Sequence, residues 1–314
     1  MNHPPEIQPV PTPNNMNTIN NQMIYWDDLQ TPTPNPNQSL SQLNDEPKDP
    51  AGLWSVGGST TVSLSGNPVT TIADDLSPRA TLSRHFRQNI DTRHTDILLI
   101  ICGFVSGLVD GLSFNAWGSF ASMQTGNTVF IALGASNQPT YPAYLWAKSL
   151  IALLVFLTST VVFISSARAL GPRRRSTLTL SFATQTACLL VAAILVELEL
   201  VSPKPEDPRA PIEWMQVLPI SLLAFQAGGQ IVASRVLAFD EIPTVVLTTL
   251  LCDLLVDPRV MARGNEKRNR RVGAFLALFL GAMTAGGLSK VTVMAASLWL
   301  AMGLKAGIVV AFLG

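Results

Sequence analysis

Charged residues are scarce in this chain of 314 residues: they make up 13% of it, whereas hydrophobic residues make up 47%. A soluble domain carries about 25% charged residues, so this chain has too few to cover a water-exposed globule. Basic and acidic residues are equal in number, 21 of each, which excludes the strongly basic surface of a nucleic-acid-binding domain. The apolar excess instead favours a chain embedded in a lipid bilayer.

Cysteine and histidine are also rare, with three of each. The cysteines lie singly within apolar runs, so they form neither a disulfide framework nor a CxxC metal site. The histidines all precede the first apolar run, and none is placed to act as a base at bilayer depth. The sequence has no HExxH, P-loop or GxSxG motif. We therefore expect no enzymatic activity, no bound metal and no cofactor.

Residues 1–90 differ in composition from the rest of the chain. Ten of the 22 prolines lie before residue 51, among many asparagines and glutamines. Proline-rich runs of this kind build neither a helix nor a central strand. We predict a disordered tail, which serves either for protein docking or as a solvated extension.

Six long apolar runs fill most of the remaining chain: 97–117, 149–167, 176–196, 215–234, 272–289 and 291–314. The first run contains one charged residue, Asp110, the last contains only Lys305, and the other four contain none. Each run is close to the 20 or so residues that a spanning helix needs. Backbone groups in lipid need internal partners, so we expect all six runs to be helices.

Two shorter apolar segments, 119–136 and 242–256, are ambiguous because they contain many Thr, Gly and other polar residues. Each short segment shares a stretch of about 40 residues with one neighbouring long run. Such a stretch cannot make three full crossings, so we expect it to cross once and to carry one extra, non-crossing or broken piece. The predicted fold is an all-α integral membrane protein: a six-span helical bundle with two pseudo-repeats and one short broken or re-entrant segment per half. The alternative is seven or eight crossings, because 119–136 is just long enough to cross.

Basic residues in the loops indicate the orientation. Arg173–Arg175 lie between the second and third runs, and the segment 257–271 contains six basic residues, whereas 197–213 is mainly acidic. The positive-inside rule then puts the tail, the triple-arginine loop and 257–271 in the cytosol. We predict a multi-pass protein with both termini cytosolic; the sequence does not indicate which membrane holds it.

The chain divides into two halves, about 97–200 and 214–314. Each half opens with a span rich in small residues, continues with a short Thr-containing piece and closes with two more spans. With three crossings per half, the second half enters the membrane from the opposite side, which makes an inverted-topology repeat. Interrupted hydrophobic segments at matching places in two halves are typical of the central site of a transporter.

One motif carries a family resemblance. GFVSGLVDGLSF (103–114), followed by SFASMQTGNTVFIALG (119–134), resembles the opening signature of the YoaK-like family of multi-pass membrane proteins, domain of unknown function 1275. In that signature Asp110 takes the acidic position, and Thr125, Gly126 and Asn127 take the turn. The resemblance covers roughly 95–314 and implies an integral membrane protein without an established substrate.

The second half departs from the family pattern. The expected Gly-Leu-Gln-Asn-Ala appears as 224–228, Ala-Phe-Gln-Ala-Gly, so that Gln226 is kept and Ala227 replaces the asparagine. The expected Thr-Gly appears as Thr248 and Thr249. If both halves build a polar site in the family, the second-half part of it is altered here.

Asp110 is the sharpest candidate for a functional residue. It lies about two thirds of the way along the first run, where an acid costs roughly 2.5–3.5 kcal/mol to insert. Such a group faces a polar partner or a cavity, or stays protonated. One interpretation is a coupling carboxylate in a proton-linked carrier; the other is a hydrogen-bonded carboxyl that joins helices.

The remaining candidates for binding a solute or ion are Gln124, Thr125, Gly126, Asn127, Gln226 and Gln230. Residues 124–127 form either a break in a helix with free N–H groups or an interfacial turn. Gln226 and Gln230 are four residues apart and share one helix face. They either line the same cavity as Asp110 or bond neighbouring helices. The transporter hypothesis, as argued from the sequence, depends on the segments 119–136 and 242–256 facing each other beside Asp110.

Two functions from different classes remain open. The first is a small-solute transporter or permease, with a proton or an unknown small solute as its ligand. The second is a non-transporting scaffold or regulatory subunit that docks partners through the tail. In both, the lipid bilayer is the partner that the sequence indicates and nucleic acid is excluded; the oligomeric state is open.

Overall fold

The structure is a computed structural model, and it describes residues 85–90, 92–138, 144–203, 207, 210 and 212–313. Within these ranges the regular elements are helices, and no strand forms. The helices are α1 (Thr95–Trp117), α2 (Gln124–Ala135), α3 (Leu145–Leu170), α4 (Arg175–Glu197), α5 (Val217–Val236), α6 (Thr248–Val256), α7 (Glu266–Val291) and α8 (Ala295–Leu313).

Six of the helices are long and apolar enough to cross a membrane: α1, α3, α4, α5 with its preceding turn, α7 and α8. α2 has 12 residues and α6 has nine, which correspond to about 18 Å and 14 Å of helix, well short of a hydrocarbon core of about 30 Å. The prediction of six spans with one short segment per half is therefore confirmed. The alternative of seven or eight crossings is not supported.

Local sequence explains several helix ends. α1 ends at Gly118, which has a φ of 74° and donates its backbone N–H to Phe114 O at 2.9 Å. Glycine adopts this left-handed conformation without steric cost, so it stops the helix and turns the chain. α7 begins at Asn265, whose side-chain oxygen accepts a hydrogen bond from Arg268 N at 3.0 Å. This is the N-cap arrangement that asparagine favours.

The six spans alternate in direction and define two ends of the bundle. At the end that we call the near end, α1, α4 and α7 begin. There Arg270 of α7 pairs with Asp96 of α1 at 3.1 Å and with Glu241 at 3.0 Å, just after α5 ends. At the opposite end, the far end, α3, α5 and α8 begin. There the indole Nε1 of Trp299 in α8 donates to Glu197 Oε2 of α4 at 3.3 Å.

The two short helices occupy opposite ends. Helix α2 packs on α3 at the far end, where Ser119 Oγ, in the linker before α2, lies 3.2 Å from Ser149 Oγ. Helix α6 packs on α7 at the near end, and its Leu250 belongs to an apolar cluster with Leu99 and Ala274. The expectation that the two segments meet around Asp110 is therefore wrong, because each packs within its own half.

The packing repeats between the halves. Each helix of the first half has a counterpart in the second: α1 and α5, α2 and α6, α3 and α7, α4 and α8. When counterparts are exchanged, the same pairs of helices are in contact. The α1–α7 contact corresponds to α5–α3, α1–α8 to α5–α4, and α2–α3 to α6–α7. The pairs α1–α5 and α4–α8 each join a helix to its own counterpart. Because α1 and α5 run in opposite directions, the halves form an inverted repeat about a pseudo-two-fold axis in the plane of the membrane.

The α1–α7 contact depends on two glycines that let the backbones approach closely. A Cβ atom added to Gly107 would lie 2.0 Å from Leu278 O, and one added to Gly281 would lie 2.1 Å from Phe104 O. In the matching α3–α5 contact, Gly228 approaches Phe156 O, and Ser159 Oγ donates to Phe225 O at 2.5 Å. Small residues allow this approach in membrane helices, where apolar burial does not drive association.

The predicted disordered tail lies outside the described residues, except for its last part. Backbone N–H groups of Ile90 and Arg175 donate to Arg173 O at 3.1 Å and to Gln88 O at 3.0 Å. Residues 88–90 therefore lie against the turn between α3 and α4 and belong with the helical bundle.

We predict that Gly281→Ala strongly destabilises the protein, because the new methyl group overlaps the carbonyl of Phe104. Overpacking of this kind costs about 1–3 kcal/mol. The matched control is Gly286→Ala on the same helix, where no atom lies within 4 Å and the helix propensity of alanine should be neutral or favourable. Thermal unfolding in detergent measures both, and equal midpoints for the two variants would contradict the close α1–α7 crossing.

Candidate functional site

Asp110 is 8% exposed and bonds to the linker that joins α1 to α2. Its Oδ1 accepts hydrogen bonds from Ala121 N at 2.9 Å and Ser122 N at 2.7 Å, and its Oδ2 accepts one from Ser122 Oγ at 2.5 Å. Both carboxylate oxygens therefore have donors from the linker, which lacks helical backbone partners. These contacts explain why an acid is tolerated at this depth, since they supply the polar partner that it needs.

Asn127 forms further hydrogen bonds in the same linker region, which we call the Asp110 corner. Its side chain accepts from Phe120 N at 3.1 Å and Ser119 Oγ at 3.3 Å, and it donates to Phe120 O at 2.8 Å and Gln124 Oε1 at 3.0 Å. Gln124 Nε2 donates in turn to Ala121 O at 2.9 Å. The two amides thus satisfy backbone groups on both sides of the turn, as a buried irregular segment requires.

Gly126 and Thr125 differ from these amides. A Cβ atom on Gly126 would lie 2.8 Å from the ring of Phe120, so the glycine makes room for that ring. Thr125 is exposed on the outside of α2. The structure therefore brings Asp110, Gln124, Gly126 and Asn127 together at one corner of the far end and leaves Thr125 outside it.

Gln226 and Gln230 lie on α5 and are both fully buried. Gln230 Nε2 donates to Cys102 O at 3.0 Å and to Ser106 Oγ at 2.7 Å, which ties α5 to α1. Gln230 Oε1 and both polar side-chain atoms of Gln226 are buried without a hydrogen-bond partner. A buried amide without a partner costs about 1–3 kcal/mol, so these two residues are expensive to keep.

A second pair of polar residues faces the same region from the other helices. Lys305 of α8 is fully buried, and its Nζ donates to Gln185 Oε1 of α4 at 2.6 Å. The ammonium lies 5.2 Å from the centre of the Phe182 ring and beside the Cys102 side chain. Cys102 thus touches Lys305 through its side chain and Gln230 through its carbonyl.

We call these residues the central cluster: Cys102, Ser106, Gln185, Gln226, Gln230 and Lys305. The cluster separates the two apolar cores of the bundle. On α4, Phe182 belongs to one core and Leu189 to the other, with Gln185 between them. On α8, Ala301 and Ile308 flank Lys305 in the same way. The central cluster is therefore a polar layer at mid-height.

The central cluster also lies where the two halves meet. The Lys305–Gln185 bond joins α8 to its counterpart α4, and the bonds of Gln230 join α5 to its counterpart α1. Contacts between counterpart helices lie at the pseudo-two-fold axis. In inverted-repeat transporters, this is where substrate sites are built.

Neither Gln185 nor Lys305 is among the candidate site residues predicted from the sequence. Lys305 carried a signal, because it is the only charged residue in the run 291–314. Gln185 carried a weaker one, as an amide inside the uncharged run 176–196. Asp110 has no contact to the central cluster among its hydrogen bonds, so the two polar regions are separate features.

Among the described residues, no group of three or more His, Cys, Asp and Glu side chains could hold a metal ion. The central cluster contains one charged group, the Lys305 ammonium, and the Asp110 corner contains one, the Asp110 carboxylate. Neither arrangement has the carboxylate, imidazole or thiolate set that metals require.

We predict that Asp110→Ala destabilises the protein by about 2–4 kcal/mol, because Ala121 N and Ser122 N lose their acceptor inside the bundle. Asp253→Ala is the matched control, since this acid is exposed on the other short helix. Both are compared with the wild type by thermal unfolding in detergent. An Asp110→Ala protein as stable as Asp253→Ala would show that the linker does not need the carboxylate.

The comparison with known proteins gives a family and no function. A family model described as protein of unknown function, DUF1275, matches residues 98–311. No curated protein and no solved structure matches the chain. The matched region begins in the first turn of α1, ends in the last turn of α8 and contains both the Asp110 corner and the central cluster. The chain therefore belongs to the DUF1275 family, and it is an integral multi-pass membrane protein.

Proposed function

We propose that the protein is a small-solute transporter or permease. The observation that carries the proposal is the central cluster, a buried polar layer with a lysine at the axis between two inverted halves. Polar groups inside a membrane are costly, and they are generally kept at substrate or ion pathways. Alternating access in inverted-repeat carriers is largely a movement of one half against the other around such a site.

The two ends of the bundle support this arrangement. At the near end, the Asp96–Arg270 ion pair joins the first half to the second. At the far end, Lys148 Nζ of α3 donates to Gln216 Oε1 just before α5, again between halves. The central cluster is closed off from both ends in this conformation. A carrier needs closures of this kind on each side of its site, and they have to break in turn.

In the proton-coupled form of this proposal, Asp110 is the coupling carboxylate. Its three linker donors give it a second role, because protonation of Oδ2 would turn it from an acceptor of the Ser122 hydroxyl into a donor, while Oδ1 still accepts from Ala121 N and Ser122 N. A change in protonation would then alter the contact between α1 and the linker at Ser122. The other form of the proposal leaves Asp110 as a positioning residue that holds the corner and takes no part in coupling.

Flux through proteoliposomes distinguishes these forms. We expect wild-type protein to take up at least one solute from a labelled panel of neutral, cationic and anionic compounds, relative to protein-free vesicles. If Asp110 couples transport, Asp110→Asn keeps solute exchange and loses its dependence on an imposed pH gradient, while Asp253→Asn keeps both. An unchanged pH-gradient dependence in Asp110→Asn removes the coupling role.

The same assay tests the alternative of a scaffold or regulatory subunit. If folded wild-type protein carries none of the solutes, and if deletion of residues 1–84 abolishes cellular function while Asp110→Asn retains it, the scaffold replaces the transporter. The deletion ends at 84 because residues 88–90 pack against the α3–α4 turn.

We further propose that the near end, with both termini, faces the cytosol. Arg173, Arg175 and the basic segment before α7 lie at this end, as the positive-inside rule requires. The sequon at Asn37 provides the test in a eukaryotic cell. We expect no glycan at Asn37, measured as an unchanged gel mobility after glycosidase treatment. A glycan at Asn37 would place the tail in the lumen and reverse the orientation.

A further inference from the structure

Lys305 carries a basic group that is fully buried. Its partners are the Gln185 oxygen, the Phe182 ring and the Cys102 side chain. Among the described residues, no carboxylate forms an ion pair with Lys305, although the ion pairs of the near end show that the chain builds such pairs elsewhere. Intramembrane charges generally pair with an opposite charge or face a cavity, so Lys305 is an exception that calls for a ligand.

Some amide groups in the same layer as Lys305 also lack hydrogen-bond partners. Gln226 and Gln230 lie on one face of α5, one turn apart, in the same polar layer. Gln226 makes no hydrogen bond with either polar side-chain atom, and both atoms are buried. A buried amide donor without a partner is available to an incoming acceptor. The layer therefore contains one basic side chain on α8 and, on α5, an N–H donor without a partner.

This donor set selects the charge of the ligand. A cation would be repelled by the Lys305 ammonium, and a neutral solute would leave its charge uncompensated. An anion compensates that charge and accepts from the amides at the same time. One ammonium balances one negative charge, and the closely packed layer limits the ligand to a few atoms.

A largely apolar cleft lies beside the cluster. It has a volume of about 130 Å³, lies between α3, α4 and α5, and its lining includes Phe163, Ser181 and Thr184. Ser181 Oγ accepts a hydrogen bond from Gln185 Nε2 at 3.2 Å, so this wall contacts the residue that holds Lys305. Neither Gln185 nor Lys305 lines the cleft itself, so the cluster is closed in this conformation.

We propose that the central cluster is a binding site for a small monovalent anion, with Lys305 as the charge partner and Gln226 as an amide donor. The proposal rests on the proposed transport function, for which it names the substrate class. Gln185 is a positioning residue that orients the ammonium. The size of the ligand is that of formate or a halide ion.

Anion-dependent thermal unfolding of the purified full chain in detergent tests the site. Sodium formate replaces sodium gluconate at constant ionic strength, so only the small anion changes. A ligand that binds the folded state raises the unfolding midpoint with its concentration. We expect such a rise for the wild type and a loss of apparent formate affinity of about tenfold or more for Lys305→Met.

Two matched variants control this measurement. Lys290→Met makes the same substitution at an exposed position on α7 and should respond to formate like the wild type. Gln226→Leu removes an amide that makes no internal bond, so it should fold and respond more weakly to formate. If Lys305→Met does not fold, Gln226→Leu carries the test. A wild type without a response to formate, chloride or nitrate overturns the proposal, as does a normal response in both variants.

The outcomes separate binding from transport. A formate response that needs Lys305, with no flux of any solute into proteoliposomes, leaves the anion site in place and removes the transporter. Flux of a neutral or cationic solute without any anion-dependent stabilisation keeps the transporter and removes the anion site. Flux of labelled formate that is lost in Lys305→Met and kept in Lys290→Met supports both.

Discussion

Hydrocarbon offers no hydrogen-bond partner to a polar group, and the rest of this structure depends on that constraint. It makes all six spans helical. Where α1 stops short of α2, Asp110 and Asn127 replace the partners that the linker backbone loses. At mid-height the constraint is met only in part, since Gln185 serves Lys305 while Gln226 has no partner. Gln226 and Gln230 thus leave polar atoms unpaired where the two halves meet.

Much of the fold could be predicted from the sequence. The six spans follow from run length and charge, because a chain in lipid has few ways to satisfy its backbone. The short segments 119–136 and 242–256 were recognisable by their polar content, and their length excludes a crossing once α2 and α6 are seen. Their placement could not be predicted. Whether such segments meet at mid-height or cap opposite ends depends on how the linkers turn, at Gly118 for example.

The central cluster was harder to predict than the Asp110 corner. Asp110 and its partners lie within 12 residues of each other, so a local motif carried the signal. Lys305 and Gln185 are 120 residues apart. The runs that contain them are apolar on all sides, so periodicity does not indicate which face of α4 or α8 points inward. Unless the rotation of each helix about its own axis is known, the sequence cannot distinguish a glutamine that faces lipid from one that faces a lysine.

The two counterpart crossings are built differently. Gly107 and Gly281 allow the α1–α7 backbones to touch, whereas the α3–α5 crossing combines one close glycine, Gly228, with a hydrogen bond from Ser159 to Phe225 O. One interface between the halves thus depends on van der Waals contact alone, and the other also has a directional bond. The symmetry of the repeat is therefore a symmetry of topology and not of the contacts that hold the halves together.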